Sequence, residues 1–70
     1  MTRKQARKLI REHKTDIFVW INGAHDGIYL PINKKQAGEM IDSDAGYRLL
    51  QHDDGDLYFD ACSDEDQIRD

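Results

Sequence analysis

The chain is 70 residues long, 34% of them charged, with a formal net charge of −4. That length holds one domain, whose core is too small to spare several positions for a polar catalytic cavity. Cys62 is the single cysteine; it excludes an intramolecular disulfide and a four-cysteine zinc site, and an unpaired thiol points to a cytoplasmic setting.

Thr2 followed three residues later by Gln5 predicts a capping box, and Ala6, Leu9, Ile10 and His13 then share one helical face. A helix over residues 3–13 follows. Ile17-Phe18-Val19-Trp20-Ile21 is the longest apolar run, too short to cross a bilayer or form a signal-peptide core, so no membrane role is expected. It reads as a strand, Ile17, Val19 and Ile21 pointing one way and Phe18 and Trp20 the other. With both faces apolar, the strand should be central or covered on both sides.

Asn22-Gly23 and Asp26-Gly27 both signal turns, so a hairpin is expected with two alternative loops. The shorter places His25 in the second strand and the longer leaves it at the tip. The second strand runs over about 28–32, Pro31 marking an edge or exit. Asn33 can cap a helix with the stripe Ala37, Met40 and Ile41, which ends over Asp42 to Gly46. A second hairpin pairs residues 47–51 with 57–61 across Asp53-Asp54-Gly55-Asp56. Residues 1–62 form the domain, and 63–70 are expected to be a frayed acidic tail. The fold class is α+β in the order α-β-β-α-β-β, with a four-stranded, mostly antiparallel sheet, two helices on one face and strand order open.

Charge is polarised along the chain. Residues 1–14 hold Arg3, Lys4, Arg7, Lys8, Arg11 and Lys14 against Glu12. Residues 42–70 hold ten acidic side chains against Arg48 and Arg69. Cations near the start of a helix oppose its dipole, and Arg3/Arg7, Lys4/Lys8 and Arg7/Arg11 are repelling i,i+4 pairs. Something acidic should therefore face this helix, either external phosphate or the chain's own acidic half.

Two clusters, His25-Asp26 and His52-Asp53-Asp54-Asp56, resemble metal ligand sets. They would converge only if the second and third strands ran antiparallel. Turn chemistry accounts for the same residues, so no metal and no cofactor is expected. Cys62 lies among carboxylates that disfavour a thiolate, Ser43 and Ser63 have no base at a recognisable spacing, and no glycine-rich phosphate loop occurs. No catalytic residue is assigned, and the chain is expected not to be an enzyme.

The leading expectation is a protein-binding module that uses Asp42, Asp44, Asp53, Asp54, Asp56 and Asp60 against a protein with a basic surface. Its sharpest form is an inhibitor or modulator of a nucleic-acid-handling protein, in the style of small phage or mobile-element anti-defence proteins, though no family motif is present. A DNA-mimicking surface is one version of that idea. The alternative is a nucleic-acid-binding protein that uses Arg3, Lys4, Arg7, Lys8, Arg11 and Trp20 with the other sheet aromatics. The overall negative charge weighs against it. Partner identity and oligomeric state are left open.

Overall fold

A computed structural model describes residues 1–23, 25–43 and 46–70. Thr2 caps α1 (Arg3–Glu12) through the full capping box with Gln5, and Asn33 caps α2 (Lys34–Ile41) through the same device with Gln36. The strands are β1 (Ile17–Asn22), β2 (Gly27–Ile32), β3 (Tyr47–Gln51) and β4 (Leu57–Ala61). The element order is the one the sequence predicts.

The sheet is mixed, in the order β2-β1-β4-β3. Both hairpins are antiparallel, but β1 and β4 meet in parallel at the centre, with Ile17, Phe18 and Val19 opposite Leu57, Tyr58 and Phe59. Two of the three pairings are antiparallel, in line with the mostly antiparallel expectation, and the parallel one settles the strand order that the sequence left open: the β2–α2–β3 segment crosses under the sheet from one edge to the other. Opposite edges β2 and β3 therefore run parallel to each other, and the two hairpin tips lie at opposite ends. The condition for His25 and His52 to converge fails. β1 ends at Asn22 and β2 begins at Gly27, so His25 lies between the strands rather than in β2.

Side chains of the pleat sort cleanly. Ile17, Leu49, Leu57 and Phe59 face the helices and join Ala6, Ile10, Ala37 and Ile41 in one core cluster. Val19, Ile32, Met40 and Tyr47 pack around it. Both helices thus cover the same face of the sheet. Leu9, expected in this core, is instead 38% exposed beside Met1 and Lys8. It sits at the border of the apolar stripe, and Ala6 and Ile10 alone point inward.

The last residues do not fray as expected of 63–70. Ile68 is buried in the core cluster and donates its N–H to the Tyr47 carbonyl at 2.7 Å. Arg69 then bridges Thr2 in parallel, accepting from the Arg3 N–H at 2.9 Å and donating to the Met1 carbonyl at 3.1 Å. One isoleucine in a polar run holds the segment by burial. Among the described residues, no helix is long and apolar enough to cross a membrane.

Candidate functional site: an aromatic sheet face

With both helices on one side, no element among the described residues covers the opposite face of the sheet. Strand alternation turns Phe18 and Trp20 of β1, Tyr29 and Pro31 of β2, Arg48 and Leu50 of β3, and Tyr58 and Asp60 of β4 onto it. The rings pack against one another instead of under a helix. Trp20 lies 4.6 Å from Tyr29 between centroids, and Tyr29 meets Phe18 and Tyr58 edge-on at 6.3 and 5.5 Å. His52, just past β3, stacks on Tyr58 at 4.2 Å and 22° and reaches Tyr29 edge-on at 5.4 Å. These are the offset and edge-to-face geometries that ring quadrupoles favour.

Local features fix this surface. Gly27 lets the Trp20 indole lie flat across β2, because a Cβ there would overlap the ring. Trp20 donates its Nε1–H to Asn22 at 2.7 Å, which sets the indole's direction. At the other end, Gly55 takes φ +96 in the β3–β4 turn, the left-handed conformation a three-residue hairpin loop requires. The His52 N–H donates to Asp56 and the Gly55 N–H to His52, both at 2.9 Å. The Asp56 N–H donates to the Asp54 carboxylate at 3.0 Å. The turn thus presents Asp53, Asp54 and Asp56 beside the His52–Tyr58 stack.

The acidic residues singled out in the sequence do not form one surface. Asp42 closes α2 and pairs with Arg7. Asp60 faces its cross-strand neighbour Arg48, accepting from Nη2 at 2.8 Å and Nε at 3.2 Å. That hydrogen bond raises the Arg48 pKa, ahead of an opposing desolvation effect. Asp44 lies outside the described residues. The turn trio Asp53, Asp54 and Asp56 is the part of the set that stands together and exposed to half-exposed.

The basic helix is answered largely from within. Arg3 pairs with Asp70 at 2.7 Å and donates from Nε to the Ile41 carbonyl at 3.2 Å. Lys34, at the start of α2, donates to the Arg11 carbonyl near the end of α1 at 3.0 Å. Because α1 and α2 run antiparallel, each helix brings cations to the negative end of the other. Lys4, Lys8 and Arg11 keep exposed side chains. Between the helices, Ile10, Gly38 and Ile41 floor a groove of about 310 Å³ rimmed by Arg7, Arg11 and Lys34. The cations of α1 and the ring of Trp20, grouped in the nucleic-acid alternative, sit on opposite sides of the sheet.

No match settles the chain's kinship. Comparison with protein-family models, with curated proteins and with solved structures finds none. Among the described residues, no group of three or more His, Cys, Asp or Glu side chains is arranged to hold a metal. Burial pushes the Cys62 thiol above its ordinary value, against a backbone hydrogen bond from Asp64 that acts the other way. Sequence reasoning found the aromatics and grouped them with the basic helix in the nucleic-acid alternative. The alternation of Phe18 and Trp20 against Ile17 and Val19 held the signal, but which face the helices would take was needed to read it.

Proposed function

We propose that this chain is a non-enzymatic protein-binding module, and that its contact surface is the uncovered aromatic face of the sheet with the Asp53–Asp56 turn at its rim. The observation that carries this reading is the cluster of Phe18, Trp20, Tyr29, His52 and Tyr58 on the face left bare by both helices. Aromatic side chains gathered on an open patch are the usual anchors of protein interfaces, where charged groups sit at the rim.

Charge selects the partner class. Among the described strand residues of this face, Arg48 is the one cation, and Asp60 already neutralises it. Nucleic acid would find stacking rings here without free cations beside them, and phosphate contacts supply most of its affinity. A protein with an apolar centre and a basic border fits the rings and the acidic turn together. A partner whose basic border serves nucleic acid is the sharpest form of the reading, which makes the chain its inhibitor or modulator.

The test compares three variants in affinity capture and then in titration against the captured protein. Trp20→Ala with Tyr58→Ala should abolish binding. Asp53, Asp54 and Asp56 reversed to Lys should slow association about tenfold or more at low salt, with a smaller effect at physiological salt. Lys4, Lys8 and Arg11 reversed to Glu should bind as wild type. Salt-dependent binding to single-stranded oligonucleotides, lost only in the α1 variant, would put the nucleic-acid reading ahead.

A further inference from the structure

We infer that the free edge of β2 is a self-association surface, through which two copies of this chain join their sheets into one eight-stranded sheet. β2 occupies the edge beside β1. Edge strands are ordinarily blunted by charge, proline, a bulge or a covering segment, because their unpaired backbone groups invite a further strand, and of these β2 carries Pro31, one residue from its end. Gly27-Ile28-Tyr29-Leu30-Pro31-Ile32 carries no charge in a chain that is 34% charged, and its register with β1 runs without interruption.

The backbone supplies a self-complementary pattern. The Gly23 N–H donates to the Asp26 carbonyl at 2.8 Å, so alternation along the hairpin turns Ile28, Leu30 and Ile32 towards β1. It turns Gly27, Tyr29 and Pro31 outward. Pro31 therefore stands where its missing N–H weakens nothing inside the domain. An antiparallel β2–β2 pairing centred on Tyr29 sets Tyr29 against Tyr29 of the second copy, and Gly27 against its Pro31. Both outward N–H groups, on Gly27 and Tyr29, then find carbonyl acceptors, and the residue without an N–H is required only to accept.

Side chains agree with that register. Ile28 is 54% exposed and Leu30 41%, on the helix side of the sheet beyond the reach of α1 and α2, with Ile21 beside them at 43%. Centring on Tyr29 places Ile28 directly opposite Leu30 of the second copy, twice by symmetry, in the closely spaced pairs of an antiparallel ladder. The register also brings Asp26 of each copy opposite Ile32 and within two residues of Lys34 of the other, opposite charges at both ends. A chain of net charge −4 can meet its own copy only where its charges are absent or complementary. This edge meets that condition. The aromatic faces of the two copies would continue into one another across the junction.

Sedimentation and light scattering across a concentration series should give a species of twice the 8.2 kDa chain mass. Amide exchange at Gly27 and Tyr29 should slow as concentration rises, because those N–H groups face solvent in a single copy. Ile28→Lys changes an exposed position and should keep the circular dichroism of wild type. It should raise the dissociation constant by about a hundredfold or more, since each dimer would confine two ammonium groups against leucine. Leu9→Lys, an equally exposed apolar site on α1, should leave association unchanged. A chain that stays at 8.2 kDa at millimolar concentration overturns the inference. So does a dimer that survives Ile28→Lys while the Gly27 and Tyr29 amides exchange at one rate throughout. Ile28 lies on the helix side of the sheet and Tyr58 on β4 belongs to the opposite face, so Ile28→Lys tests association and Tyr58→Ala tests partner binding, and the two readings fail separately.

Discussion

Cys62 shows how one side chain's surroundings set its chemistry. Burial disfavours its thiolate, so its folded-state pKa lies above the unfolded value. A raised value means the associated stability is whole below the unfolded thiol's pKa of about 8.5 and declines as pH rises through the folded one. Alkylation by iodoacetamide at pH 8 should be slower in the native protein than in urea, and should accelerate only at higher pH. Equal rates in the two states would contradict the assignment. At Gly27, a methyl group would displace the Trp20 indole. Gly27→Ala should therefore shift Trp20 fluorescence to the red while the helix signal in circular dichroism is kept.

Elements show why some of this was legible beforehand and some was not. Thr2 with Gln5 and Asn33 with Gln36 specify their helix starts within four residues, so both caps could be read directly. The β3–β4 turn was equally local, because Gly55 answers a backbone need of its own loop. The parallel β1–β4 pairing was not, since Ile17 meets Leu57 across forty positions and no short pattern encodes that choice. Leu9 and Ile68 misled for one reason: hydrophobic spacing gives a stripe but not the width that neighbouring elements will cover. Ile10→Asp should unfold the domain, whereas Leu9→Asp should melt within a few degrees of wild type. Ile68→Ala should lower stability by about 2–4 kcal/mol in urea titrations, the range for truncating a buried isoleucine. A change near zero would mean the terminal segment contributes nothing to the core.

For the whole molecule, the charge asymmetry of the sequence becomes a different asymmetry in space. Much of the sequence polarity is used internally: Arg3 with Asp70, Arg7 with Asp42, Arg48 with Asp60. The acidic surface proposed from the sequence is reduced to the Asp53–Asp56 turn, because a run of like charges in one dimension is scattered by three changes of direction. What remains is a two-sided domain, with helices and exposed cations below and rings with an acidic rim above. Exposed ion pairs contribute little each, about 0–1 kcal/mol. Raising salt from 0.05 to 0.5 M should therefore move the melting temperature by only a few degrees, while it strongly slows any association steered by the turn.

The placement of β1 beside β4 has a consequence for how the chain is made. The first strand of the sheet finds its central neighbour only in the last, and Leu57 and Phe59 of that strand anchor the core. A nascent chain that has emerged only as far as β2 holds α1 and one hairpin, without α2, β3 or β4, and two-stranded hairpins are marginal in water. Folding must then wait until β4 has been made. For that interval Ile17–Ile32 is the stretch a ribosome-associated chaperone would shield, and fragments ending before residue 57 should be insoluble or rapidly degraded rather than partly folded.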